Sequence, residues 1–177
     1  MKNKVFIATS LDGYIADQNG GIEWLHAIPN PDDNDMGYAD FIENIDAIIM
    51  GRTTFETVCN FDMDWPYNKP VFVLSNNMKK IPEEYQEKAQ LVKGSLQQIV
   101  KNMHEKAYFN LYIDGGKTIQ SFLKEDLVDE MTITIIPYLL GGGISLFSEN
   151  PVRLEFECVA SKIYLEKIVQ NYFVRKK

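Results

Sequence analysis

The chain has 177 residues, 45% of them hydrophobic. That is enough apolar material for a single domain over 1–177 with a substantial core, and it excludes a disordered chain. The formal net charge of -7 argues against non-specific binding to nucleic acid or anionic membranes, but leaves room for a small anionic ligand at a local positive site.

The two cysteines, Cys59 and Cys158, have no metal-binding or redox spacing, and no metal site is expected. The apolar run near the N-terminus is too short for a signal segment, and no stretch approaches a membrane span. A cytoplasmic protein with reduced thiols is the expectation.

Strands and helices alternate along the chain. "KVFIATS" (Lys4–Ser10) reads as a buried first strand, and "YADFIENI" as a short helix leading into the buried strand "DAIIMG". "RTTFETVCNF" is a helix, "KPVFVLS" (Lys69–Ser75) a strand and "AQLVKG" a short strand. Ser95 is an N-cap for a helix whose apolar face is Leu96, Ile99, Val100 and Met103, with His104 on its exposed side. "AYFNLYIDG" is a strand, followed by a helix with Ile119, Phe122, Leu123 and Leu127 on one face. The last third, "EMTITIIPYLL", "VRLEFECVASKIYLEKI" and "VQNYFVRK", is strand-rich without a helix. Parallel βα units followed by a terminal hairpin predict an α/β sheet with an antiparallel edge.

In such sheets ligands bind where the strands end at their carboxyl termini. After the first strand, "SLDGYIADQNGGIEW" holds two turn signals, Asp12-Gly13 and "DQNGG", readable as plain turns or as a loop anchored over a site by Ile15 and Trp24. After the second strand, Gly51 permits close backbone approach, Arg52 adds a cationic fork, and Thr53 and Thr54 open a helix whose free N–H groups attract anions. "LSNN" offers Ser75 and Asn76. "DGGKT" places Gly115, Gly116, Lys117 and Thr118 at another helix start. A P-loop requires a glycine five positions before the glycine of its Gly-Lys pair, where this chain has Leu111, so this is not an ATP loop. The dinucleotide G-x-G-x-x-G pattern is also absent, here and at Gly141–Gly143. Together the strand ends point to an extended phosphorylated ligand such as a dinucleotide.

The order of "SLDGYIA…W", "DAIIMGRTTFE", "VFVLS", "YIDGGKTIQSFL" and "MTITIIPYLLGGGISLF" resembles the dihydrofolate reductase-like superfamily, over nearly the whole chain. The "P-x-L-L-G-G-G-x-x-L-F" stretch is more similar to stand-alone relatives of the RibD C-terminal domain, the pyrimidine reductase of riboflavin synthesis. The resemblance implies a three-layer αβα sandwich with a mostly parallel central sheet and a C-terminal antiparallel hairpin. It implies NADPH as cofactor: Arg52 and Thr53 at the 2′-phosphate, Thr54 at the pyrophosphate and Ser75 by the adenosine ribose phosphate. Gly115, Gly116, Lys117 and Thr118 would line the pyrophosphate, Ile119 would lie near the bridging part, and Ala8, Ile15 and Ala16 would flank the nicotinamide. Arg52 favours NADPH over NADH.

A substrate-binding and catalytic carboxylate is implied at Asp35, with Asp32, Asp33 and Asp40 as alternatives in the same acidic stretch. Thr134 matches the threonine that supports such a carboxylate. Trp24 is a substrate-side residue or pocket wall, and His26 follows it without a partner. The implied activity is hydride transfer from NADPH to a pteridine or aminopyrimidine, dihydrofolate reductase-like or 5-amino-6-(5-phosphoribosylamino)uracil reductase-like. The competing reading is a catalytically degenerate NADPH-binding paralogue or a structural dimer module. A homodimer is implied, with the apolar C-terminal third as a source of its interface.

Overall fold

The computed structural model describes residues 1–150 and 153–177. In chain order the elements are β1 (Lys2–Ser10), β2 (Tyr14–Ala16), α1 (Tyr38–Glu43), β3 (Ala47–Gly51), α2 (Arg52–Cys59), β4 (Val71–Leu74), β5 (Ala89–Val92) and α3 (Leu96–Glu105). There follow β6 (Asn110–Asp114), α4 (Gly116–Lys124), β7 (Glu130–Ile136), β8 (Ile144–Ser145), β9 (Phe156–Tyr164) and β10 (Ile168–Arg175). One sheet has the order β5-β4-β3-β6-β1-β7-β10-β9, and β2 pairs with β8 apart from it. Pairings from β5 through β7 are parallel, and β10 is antiparallel to β7 and β9. The predicted α/β architecture, mostly parallel with a terminal antiparallel hairpin, is the one observed.

Alternation along the strands sorts the core into two halves. Ile48, Met50, Val71, Val73 and Tyr112 face Phe41 and Ile42 of α1 and Phe55 of α2. Ala47, Ile49, Phe72, Leu111 and Ile113 face Leu96, Ile99, Val100 and Met103 of α3 and Ile119, Phe122 and Leu123 of α4. The result is a helix–sheet–helix sandwich. The periodic apolar faces of α3 and α4 therefore have a sheet to bury against. The Ser95 hydroxyl caps α3, accepting from the Gln98 N–H at 3.3 Å. Among the described residues, no helix is long and apolar enough to cross a membrane.

The sequence pattern and the structure differ locally. The short pair β2 and β8 has no counterpart in the strand prediction, because strands this brief carry no period. Leu127 lies beyond the end of α4; its N–H donates to the Phe122 carbonyl at 2.9 Å and its side chain still packs on the core. His104 is half-buried rather than exposed, with an enclosed Nε2 that lacks a hydrogen-bond partner and with its ring near Phe109. The predicted run from Val152 to Ile168 breaks into a turn, where Leu165 and Glu166 adopt φ of 50° and 56°. Val152 itself lies outside the described residues.

One irregularity positions the site. Recorded pairing between β1 and β6 extends from Lys2–Asn110 to Lys4–Tyr112, whereas β1 stays paired with β7 as far as Ser10–Ile136. The sheet opens between β1 and β6 beyond Tyr112, which leaves a cleft at the carboxyl ends of its central strands.

Candidate active site

Two helix N-termini meet at this cleft. Parallel β3 and β6 are neighbours, with Met50 opposite Asp114, so the turns after them lie side by side. A Cβ on Gly51 would stand 2.8 Å from the Thr118 Oγ1, and one on Gly115 would stand 2.1 Å from the Thr54 Oγ1. Gly115 also holds φ +89°, which side-chain-bearing residues rarely adopt. The start of α2 and the start of α4 are thus packed glycine against threonine. The N–H groups of Gly116, Lys117 and Thr118 open α4 without helical acceptors, and those of α2's first turn do the same beside them. Arg52 is exposed at this edge, 3.6 Å from Glu56. This donor set fits a dinucleotide: amides for a pyrophosphate, a cation for a phosphate on the ribose, and glycines that let the backbone come close.

The other expected cofactor residues fall around this cradle with different exposures. The Ile15 side chain lies over Gly116, where a Cβ would come within 2.6 Å of the Ile15 Cδ1. Ala16 is buried on β2, and Ala8 stands opposite Thr134 on β1. Ser75 follows β4, and its hydroxyl accepts from the Met78 N–H at 3.0 Å, which shapes that turn. Lys117 is exposed. The Ile119 side chain is fully buried in the core, and its N–H is taken by the Gly115 carbonyl at 2.9 Å.

The loop over the cradle is sewn to the rest of the molecule. The Asp12 carboxylate accepts from the Ser10 hydroxyl at 2.6 Å and from the Leu140 and Gly141 N–H groups at 3.1 and 2.8 Å. These bonds hold its pKa below the ordinary carboxylate range. The triple glycine, which fits no nucleotide motif, serves this contact: a Cβ on Gly143 would stand 2.1 Å from the Ala16 carbonyl oxygen.

On the α1 side, the acidic stretch resolves into distinct roles. Asp35 is exposed, and its two oxygens accept from Gly37 N–H at 2.9 Å and Ala39 N–H at 2.8 Å. The backbone bonds, that to Ala39 first, lower its pKa, so it stays charged and steadies the start of α1. Asp32, Asp33 and Asp40 are also exposed. Thr134 is buried, and its hydroxyl accepts from Gln170 Nε2 at 2.9 Å, while Gln170 also donates to the Met36 carbonyl at 3.0 Å. Thr134 therefore meets the Asp35 region through Gln170, not by a direct bond. Trp24 is half-buried, and its enclosed indole N–H has no hydrogen-bond partner among the described residues.

The sequence reading overlooked Asp114. It ends β6 on the same face as Tyr112, where the sheet has opened, and its Oδ1 accepts from the Gly115 N–H at 2.8 Å. The residue keeps some exposure, yet its surroundings are dense with protein. Burial outweighs its hydrogen bonds and pushes its pKa up to about 6. Its charge in turn opposes ionisation of Tyr38, Tyr67 and Tyr112, whose pKa values burial already raises. The Tyr112 hydroxyl donates to the Phe6 carbonyl at 3.0 Å. Tyr112 packs edge-on against Phe41, which in turn packs on Phe6, with centroids 5.1 Å apart for Phe41–Tyr112 and 4.9 Å for Phe6–Phe41. A signal for Asp114 was present: an acid standing alone in the apolar run "LYID", directly before two glycines.

The family model for the RibD C-terminal domain matches residues 4–170. The chain is 52% identical to a putative riboflavin biosynthesis protein from Shewanella sp. PV-4, with full coverage of both chains and a TM-score of 0.98. It is similar to the diaminohydroxyphosphoribosylaminopyrimidine deaminase/5-amino-6-(5-phosphoribosylamino)uracil reductase of Thermotoga maritima (TM-score 0.75, 18% identity), covering 99% of this chain and 56% of that one. It is also similar to dihydrofolate reductase from Enterococcus faecalis complexed with NADP(H) (TM-score 0.68, 19% identity), covering 99% and 97%. These last two likenesses establish the fold alone.

Proposed function

The chain belongs to the RibD C-terminal domain family, and from that premise we propose that it is an NADPH-dependent reductase of a pteridine or aminopyrimidine-type ring. The observation that carries the proposal is the packing of Gly51 on Thr118 and of Thr54 on Gly115, which joins two helix N-termini into one anion cradle. In this reading Arg52 and Thr53 take the 2′-phosphate, Thr54 and Gly115–Thr118 the pyrophosphate, and Ser75 the adenosine ribose side. Ala8, Ile15 and Ala16 border the nicotinamide.

Bound NADPH would supply the hydride, delivered to the carbon of a C=N bond. The chain's own residues do the rest. The aromatic group of Phe6, Phe41 and Tyr112 and the Trp24 indole position the ring and exclude water. Asp114, with its raised pKa, holds a proton close to neutrality and passes it to the ring nitrogen. Asp35, charged and beside the α1 start, accepts from amino groups at the ring edge, and Thr134 with Gln170 keeps that segment in place.

A second copy of the chain is the proposed partner. On the same side of the sheet as α3 and α4, where β7 and β10 extend past those helices, a groove of 370 Å³ is lined by Ile133, Ile135, Phe147, Phe156 and Phe173, which a homodimer would cover.

The test is titration of purified protein with NADPH and NADH, followed by NADPH oxidation assays with dihydropterins and aminopyrimidines. Tight NADPH binding that weakens at least tenfold in Arg52→Ala is expected. Failure to bind NADPH would sink the proposal.

A further inference from the structure

We infer that Tyr38 and Tyr67 are specificity-determining residues of this site: their hydroxyls donate to an oxo oxygen on the substrate ring and favour a ring that carries one over its amino-substituted counterpart. The inference rests on the reductase reading above and deepens it. The two tyrosines come from separate segments, the start of α1 and the stretch between α2 and β4. The Tyr38 ring meets Phe6 of β1 edge-on, with centroids 5.6 Å apart, and lies 6.4 Å from the Phe41 ring. The Tyr67 ring packs edge-on against Trp65 at 5.4 Å, and Trp65 packs on Phe55 of α2 at 6.1 Å.

Both rings border the half of the core that holds Met50 and Tyr112. Met50 stands opposite Asp114, and Tyr112 precedes Asp114 by two residues on the same face of the sheet. The tyrosines therefore approach the carboxyl end of β6 from two elements. The charge of Asp114 opposes ionisation of both, and the two phenols oppose each other, as three groups gathered at one place do.

The hydroxyls are free to bond a ligand. Tyr112 spends its hydroxyl on the Phe6 carbonyl at 3.0 Å. Among the described residues, those of Tyr38 and Tyr67 have no hydrogen-bond partner. Nor do they belong to the enclosed polar atoms left without one, which are Asn3 Oδ1, Trp24 Nε1 and His104 Nε2. Each ring is half-buried and held by aromatic neighbours, while its polar tip still reaches solvent.

Burial pushes the Tyr38 phenol up to about 12 and raises Tyr67 as well, so both keep their protons and remain donors. A ring oxo oxygen has two lone pairs and can accept from both. An amino group in its place leaves both O–H groups without an acceptor, beside aromatic walls that offer none. A site furnished with donors for one substituent discriminates against the ring that lacks it. A ring whose nitrogen meets Asp114 brings the substituent next to that nitrogen toward the phenols.

The experiment uses protein saturated with NADP+, so that no ring is reduced, and two pairs of probes: pterin with diaminopteridine, and aminouracil with aminocytosine. In each pair the first carries a ring oxo group where the second carries an amino group. Equilibrium binding is measured for wild type, Tyr38→Phe and Tyr67→Phe. Each substitution is expected to weaken an oxo probe about fivefold and to change its amino partner less than about twofold. Affinity for NADP+ and the thermal midpoint are expected to stay unchanged.

Equal weakening of both members of a pair would reveal a structural role and overturn the inference, as would indifference of the oxo probes to either substitution. Failure of both oxo probes to bind the wild type would overturn it too. A phenylalanine variant that unfolds would mean that its hydroxyl is bonded within the protein, which also overturns it. Each of these outcomes leaves cofactor binding by the wild type intact. Absence of NADPH binding by the wild type defeats the reductase proposal itself, so the two failures are told apart.

Discussion

Gly115 and Asp114 are adjacent residues with opposite vulnerabilities. Gly115 combines φ +89° with a 2.1 Å approach to the Thr54 hydroxyl, so Gly115→Ala strains the backbone and pushes α2 away. A loss of about 1–3 kcal/mol of stability is expected in thermal unfolding, together with weaker NADPH binding. Unchanged behaviour in both would refute the packing argument.

Asp114 is vulnerable through its proton. With its folded pKa raised from 3.8 to about 6, the native state keeps a proton that the unfolded chain has already released between those values. Stability therefore falls as pH rises across that window and levels off above it. The change is about 2 kcal/mol, smaller than the full shift implies because the residue keeps some exposure. Asp114→Asn is expected to remove this slope in denaturation curves. If Asp114 donates the proton, turnover also declines as pH rises through about 6, and the asparagine variant is slow at every pH.

At the scale of elements, the site depends on how loops are tied. The pair β2 and β8 sets the position of Ile15 over Gly116, and it is held by Asp12 on one side and by the bare backbone of Gly143 on the other. Gly143 has φ +146°, and a methyl group there would collide with the Ala16 carbonyl. Gly143→Ala is expected to separate β2 from β8. Hydrogen exchange should then accelerate in residues 13–17 and 143–146 while β3 and β6 stay protected. Equal exchange throughout would show that the loop is not anchored in this way.

How much of this was legible beforehand varies by element. The α3 cap at Ser95 and the apolar faces of α3 and α4 follow from local spacing, and so do the buried strands β3 and β6. β2 and β8 do not, because each is stabilised by the other and neither has a pattern of its own.

At the scale of the whole molecule, the proposed homodimer would use the uncovered surface of β7, β10 and β9. Phe147 is 48% exposed and Ile163 65% exposed, and β9 is an unpaired edge of the sheet. Phe147→Glu/Ile163→Glu is expected to leave the monomer folded, since both side chains lie largely in solvent, and to convert a homodimer to monomers in light scattering. A wild-type protein that is monomeric at micromolar concentration would remove the dimer from consideration.

The amino-acid sequence by itself determined the alternation of strands and helices, the antiparallel end of the sheet, and the glycines, threonines and arginine at the strand ends. Each of these is a local preference, written in spacing and residue type. The tertiary structure alone decided that Gly51 meets Thr118, that Thr134 reaches Gln170 in place of Asp35, that Ile119 is core, and that Asp114 sits at the mouth of the split sheet. Those outcomes depend on β3 and β1 lying on either side of β6 and on where β1 leaves it. Strand order and the end of a pairing are properties of the folded sheet, and no local pattern along the chain carries them.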